Sequence, residues 1–141
     1  MFFNISLETG KTELIRAVVE GTCMHLRWFL ETEDKKTRTS DVLRFVGGGA
    51  LSDVTCQILA DCTGRTVEVV ASPQNVGAVG AAVISAVGLG MIGSIEEAKK
   101  LVPAKKTFIP NPSLKAVYDK NFAVFKNLYK SNKENFEALN G

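Results

Sequence analysis

One stretch limits what this chain can fold into more than any other: Val42 to Val70, VLRFVGGGALSDVTCQILADCTGRTVEVV. Val42–Val46 is a short apolar run bounded by turn signals and reads as a strand. Gly47-Gly48-Gly49 follows directly. A helix is predicted from Ser52 to Cys62, with Val54, Ile58, Leu59 and Cys62 on one stripe. Gly64 falls where a left-handed residue ends a helix, and valine-rich Thr66–Val70 is a second strand. Strand, glycine turn, helix and strand make a βαβ unit, which implies parallel strands and a right-handed crossover. The predicted class is α/β, a βαβ core with several packed helices.

Helices flank this unit on both sides. From Thr12 to Glu31, the residues Leu14, Ile15, Val18, Val19, Thr22, Leu26, Phe29 and Leu30 recur at helical spacing. Thr12 is placed to cap that helix, with Glu13 in the first turn where the dipole favours it. The polar run ETEDKKTRTSD then reads as a solvent loop. After the Pro73-Gln74-Asn75 loop, no charge occurs from Val76 to Ile95, a length that could nominally span a bilayer. Five glycines and many alanines in that run argue instead for a buried, close-packed helix over Val76–Val87 and then a glycine loop. Ser94 and Glu97 have capping-box spacing and predict a short helix ended by Pro103. Asn111-Pro112 opens a last helix, with Leu114, Val117, Tyr118, Phe122, Phe125, Leu128, Tyr129, Phe136 and Leu139 on its apolar face.

Composition narrows the function classes. The 141 residues suit one domain, and 17 basic against 15 acidic residues leave a net charge of only +2. No long-range field gathers nucleic acid or anionic membrane. Cys23, Cys56 and Cys62 are an odd count without CxxC or Cys/His spacing, so a disulfide framework and a zinc site are poor readings. Reduced, buried thiols and a cytoplasmic location are expected. The opening MFFNISLETGK lacks the pattern of a signal peptide.

The glycine turn is the best candidate site. Without Cβ atoms, the backbone of Gly47, Gly48 and Gly49 can approach a ligand closely. The following helix points unpaired N–H groups at the same space, and ligands of open α/β sheets bind at the carboxyl ends of the strands. The Walker pattern GxxxxGK[ST] is absent. The dinucleotide pattern GxGxxG is met by Gly47 and Gly49, with Ser52 in the third place and Glu68 where a ribose-binding acid would fall. An NAD-type βαβ domain is therefore an alternative, although Glu68 lies mid-strand. His25 is the only histidine and reads as a structural or surface residue. Asp53 reads as a first-turn residue and Asp61 as a polar-face residue. No nucleophile and base pattern is present, so no catalytic residue is assigned.

Several segments resemble one family. Arg16-Ala17-Val18-Val19-Glu20-Gly21 is similar to the "RAxxEG" helix of FGGY-family carbohydrate kinases. Leu43 to Gln57 resembles that family's adenosine motif, and Ala60-Asp61 with Gly64 to Val67 its "ADxxGxxV" continuation. Gly77 to Ala82 matches its "GAxGAA" helix, and the tail from Phe108 to Phe136 looks most like the xylulokinase branch.

The resemblance implies part of an actin-like, ribonuclease-H-like ATPase fold. It implies ATP as the nucleotide, Mg2+ in the intact enzyme, and a pentulose as phosphoryl acceptor. Residues 1–141 would be the second, nucleotide-binding domain, without its N-terminal strands and without the first domain that carries the catalytic aspartate. Gly47, Gly48, Gly49 and Ala50 fall on the turn that faces adenosine, and Ser52 on the small polar position at the adenine side. No metal ligand is assigned. The chain alone is expected to be inactive, and its open sheet edge predicts a homo-oligomer. The other reading is a stand-alone nucleotide-binding or interaction module without kinase activity.

Overall fold

The structure, a computed structural model, describes residues 1–97 and 102–140. The chain divides into two compact units. One comprises Met1–Thr39, Asp61–Gly64 and Asn111–Gly141; the other comprises Ser40–Ala60 and Arg65–Pro110.

The second unit holds the sheet. Strands β1 (Val42–Arg44), β2 (Thr66–Val70) and β3 (Ala104–Phe108) lie in the order β1-β2-β3. β1 and β2 are parallel, with Val42 opposite Thr66 and Arg44 opposite Glu68. This is the pairing the βαβ reading requires. β1 is shorter than the predicted Val42–Val46. Phe45 still donates its N–H to the Glu68 carbonyl at 2.9 Å, but the chain turns away at Gly47, whose φ is 90°.

β3 was not anticipated. It runs antiparallel to β2, with Phe108 opposite Val67 and Lys106 opposite Val69, and a register shift between Val69 and Val70. Its sequence, AKKTF, is exposed along nearly all its length and shows no apolar alternation. Lysines on such an edge strand discourage pairing with another chain.

A 3-10 turn (Gly48–Leu51) and helix α2 (Asp53–Thr63) follow β1. Cys56, Ile58, Leu59 and Ala60 of α2 are buried, as are Val67, Val69 and Val70 of β2. Val54, expected on the buried stripe, is 68% exposed. Gly64 has φ 69° just after the helix, as its C-terminal position predicts.

Helix α3 (Val76–Gly88) is where expected but is not buried. Val83 is its one buried residue, and Ile84 is 65% exposed. A Cβ placed on Gly77 or Gly80 would meet nothing within 4 Å among the described residues, so no close backbone approach explains these glycines here. Beyond Ser94 the chain makes a single 3-10 turn, Ile95–Glu97. The rest of the short helix predicted before Pro103 lies outside the described residues.

The first unit contains α1 (Lys11–Asp34), α4 (Lys115–Ser131) and α5 (Lys133–Asn140). α1 starts one residue earlier than predicted, after Gly10, so Thr12 lies inside it rather than capping it. Its buried residues are Cys23 and Met24, whereas Ile15, Val18 and Phe29 of the predicted stripe are exposed. Arg27 explains part of this difference. It donates to the Cys62 carbonyl at 2.9 Å and to Asp119 at 2.7 Å, and its guanidinium lies 4.4 Å from the centre of the Phe122 ring. A charged side chain with all these partners occupies a position that an apolar count leaves to leucine.

The predicted last helix is two helices. Asn111 caps a 3-10 turn (Pro112–Leu114), its Oδ1 accepting from the Ser113 N–H. α4 then breaks at Asn132, whose side chain donates to the Leu128 carbonyl at 2.8 Å while its own carbonyl accepts from Phe136 N–H. Asp61 is also corrected. It is only 8% exposed, and its carboxylate accepts from the Asn111 N–H at 2.8 Å.

Candidate functional site

Parallel pairing of β1 and β2 puts both carboxyl ends on one side of the sheet. Two loops emerge there, Gly47–Ser52 and Ala71–Asn75. Gly47 donates its N–H to the Pro73 carbonyl at 2.9 Å and joins them. Its φ of 90° is a conformation that side-chain-bearing residues rarely adopt. Within the first loop, Ala50 N–H donates to the Gly47 carbonyl and Ser52 N–H to the Gly49 carbonyl, at 3.2 and 3.3 Å. The turn is therefore tied internally as well as to its neighbour.

The three glycines have different surroundings. A Cβ on Gly48 would meet no protein atom within 4 Å, so its Cα borders open space. A Cβ on Gly49 would come within 3.0 Å of the Phe45 ring. Gly49 is thus fixed by protein packing, whereas Gly48 presents backbone to a visitor. Ala50 is buried, and its carbonyl accepts from the Cys56 thiol at 3.7 Å. Its part in the turn is packing, and any ligand contact from it would be by backbone.

Ser52 caps α2. Its Oγ accepts from the Thr55 N–H at 3.3 Å, and its carbonyl accepts from the Cys56 N–H at 3.0 Å. The N-terminus of α2 therefore does not follow the glycines directly, because the 3-10 turn intervenes. Asp53 sits in the first turn of α2, as expected, and also pairs with Lys106 at 2.7 Å.

The second loop gave no clear signal in the sequence. Ser72 has φ 50°, left-handed although it is not glycine, and its carbonyl accepts from the Asn75 N–H at 2.9 Å. Non-glycine residues held in this region are enriched at ligand sites. The only cue was the Ser-Pro turn pair.

The dinucleotide alternative fares poorly. Glu68 lies in mid-strand, between Arg44 and Thr107, and its carboxylate is 3.4 Å from the Arg44 guanidinium. It is engaged away from the strand end where a ribose-binding acid belongs.

Neither Cys56 nor Cys62 is an activated thiol. Burial, more than the nearby Asp53 charge, pushes the Cys56 thiol above its ordinary range. In the first unit, burial pushes the Cys62 thiol up to about 12. His25 is exposed and lines an apolar cavity of about 630 Å³ in the first unit, with Trp28, Phe125, Tyr129 and Phe136. Among the described residues, no three His, Cys, Asp or Glu side chains group to hold a cation. Among the same residues, no helix is long and apolar enough to cross a membrane.

Residues 1–89 match the model of the FGGY family of carbohydrate kinases, C-terminal domain. This chain belongs to that family. The FGGY match contains the whole glycine turn and the loop after β2. Xylulose kinase of Lactococcus lactis is 32% identical over 136 residues, which is 94% of this chain and 27% of that protein. An autoinducer-2 kinase of Yersinia pestis is 33% identical over 123 residues, covering 83% of this chain and 23% of the relative. Among solved structures, xylulose kinase from Rhodospirillum rubrum superposes with a TM-score of 0.85 at 28% identity, over 97% of this chain and 28% of that one. A ligand-bound xylulose kinase from Lactobacillus acidophilus gives 0.84 at 24% identity, over 94% of this chain and 27% of that one, and supports the fold. The chain spans about a quarter of the length of these FGGY relatives. The α/β fold is thus that of part of an actin-like, ribonuclease-H-like sugar kinase, and the xylulokinase-like character of the sequence is shown.

Proposed function

We propose that Gly47–Ser52, with the Ala71–Asn75 loop, forms the adenosine side of the ATP site in a pentulose kinase of the xylulokinase type. The observation that carries this is the exposed backbone of Gly48, bordered by open space at the carboxyl ends of two parallel strands. Such a surface suits a flat base and a ribose. Gly47 holds the turn open, Gly49 fixes it against Phe45, and the Ser52 hydroxyl lies at the adenine side with its proton able to reach an acceptor. Bound ATP supplies the transferable phosphoryl group. Mg2+ at such a site would be held by one or two carboxylates and the nucleotide phosphates, and no residue of this chain is assigned to it.

On the same reading, residues 1–141 are the C-terminal part of the enzyme's nucleotide-binding domain. The pentulose and the carboxylate that accepts its proton belong to the other domain, and further strands of this domain complete the sheet. The open faces support this. Among the described residues β1 pairs with β2 alone, and the N-terminal Phe2, Phe3 and Ile5 are exposed, as are Ile15 and Val18 of α1. By itself the chain would cover such surfaces by self-association.

Titration calorimetry tests the reading directly. Adenosine, AMP, ADP and ATP should bind with similar, weak affinity, because the elements that would grip the phosphates are not assigned to this chain. Absence of any adenine-nucleotide binding would refute the site. A clear preference for NAD would favour the dinucleotide alternative.

A further inference from the structure

The strand that the sequence did not reveal is tied to the helix that follows the glycine turn. Lys106 of β3 lies opposite Val69, which is buried, so Lys106 projects on the same face of the sheet as Val69. Its ammonium meets both carboxylate oxygens of Asp53, at 2.7 and 2.9 Å. One helical turn further on, Gln57 donates its Nε2–H to the carbonyl of Ile109, just past the end of β3, at 2.9 Å. Asp53 and Gln57 are four residues apart and share one face of α2. Two polar contacts along one helix face therefore hold the first turns of α2 to β3. Asp53 directly follows Ser52, the cap of that helix.

We propose that Lys106 is a positioning residue for the nucleotide: by clamping Asp53 it fixes the first turn of α2 and so the place of the Ser52 hydroxyl. The proposal rests on the adenosine reading above. Lys106 touches no ligand on this view; it acts through Asp53. Both members of the pair are about half exposed, at 51% and 58% of their side chains, so the contribution is modest and sensitive to salt.

The experiment is ATP titration of the parent chain, Lys106→Met, Asp53→Asn, their double variant and Lys106→Arg, all well below the unfolding transition. The parent titration tests the adenosine reading, and the variants test the clamp. Each single substitution should weaken ATP by about two- to fivefold, the range of exposed ion pairs. The double variant should be no weaker than either single one, because both remove the same bridge. Lys106→Arg should bind like the parent, and the difference between parent and Lys106→Met should vanish in 1 M salt. Equal ATP affinity in parent and Lys106→Met, with only a lower unfolding temperature, would show a purely structural bridge and overturn the proposal. Additive losses in the double variant would also overturn it. A parent chain that binds no ATP would remove the proposal together with the reading beneath it.

Discussion

Gly47 and Pro73 are joined by a 2.9 Å backbone hydrogen bond, from the turn after β1 to the loop after β2. This bond brings two segments 26 positions apart in sequence into one rim at the carboxyl ends of the sheet. Gly47 also has φ 90°, so the chain leaves this bond in a conformation that glycine adopts without the steric cost a Cβ would bring.

The two glycines beside it should respond differently to substitution. Gly48→Val adds atoms where no protein atom lies within 4 Å, so the fold should persist while adenosine and ATP binding is lost. Gly49→Ala places a Cβ 3.0 Å from the tip of the Phe45 ring, which must shift to receive it, so its effect should appear in the unfolding temperature and not as a direct block of ATP. Thermal unfolding and calorimetry on the two variants separate the effects. A Gly48→Val protein that binds ATP like the parent would contradict the site.

Arg27 should be a large single contributor to stability in the first unit. It serves the Cys62 carbonyl, Asp119 and Glu31, and lies over Phe122. Arg27→Met should destabilise by about 1–3 kcal/mol, mainly by removing the donor to the Cys62 carbonyl and the charge over Phe122, since Asp119 keeps Lys115 and Glu31 keeps Lys126. Urea unfolding at neutral pH measures it, and a change below about 0.5 kcal/mol would be inconsistent.

Acid should act partly through Asp119. Hydrogen bonds from Lys115 and then Arg27 hold its carboxyl below the ordinary value of 3.8. A depressed carboxyl contributes stability above that value and loses it as pH falls through the folded pKa. Asp119→Asn should therefore lower stability at pH 7 and flatten its decline below pH 4. Because the group is partly exposed, the effect is small, about 0.2–1 kcal/mol. An unchanged acid profile in the variant would count against the assignment.

Alkali should act through Cys62 and Tyr118. Burial is the main cause for both, pushing the thiol from 9.0 and the phenol from 10.0 up to about 12. A raised acid is neutral in the fold while its unfolded form ionises. Stability is thus full below pH 9 and declines as pH rises toward 12. Cys62→Ala should reduce the slope of that decline. In the folded protein at pH 8, all three buried cysteines should resist alkylation until denaturant is added. Rapid labelling of Cys62 in the native state would refute its burial.

Sedimentation equilibrium should show a dimer or larger assembly at high micromolar concentration. Exposed Phe2, Phe3 and Ile5, and the edge of β1 that has no strand partner among the described residues, motivate this. A single monomeric mass across the concentration range would reject it.

The sequence by itself determined the βαβ unit, the left-handed Gly64 and the place of the glycine turn. These are local matters: a run of β-branched residues, three residues without Cβ, and a helical stripe each act within a few positions. It also carried the family, since "RAxxEG", the glycine turn and the "GAxGAA" helix stand in order along the chain. Tertiary structure decided the rest. β3 has no local signature because its hydrogen bonds to β2, not its own side chains, make AKKTF a strand. Asp61 looked like a surface residue because its partner, the Asn111 N–H, lies 50 positions away. Ser72 joins the candidate site only because parallel pairing brings its loop beside Gly47. The Val76–Gly88 helix shows the converse limit. Its small apolar residues signal close packing, but burial needs a neighbour, and composition alone names none.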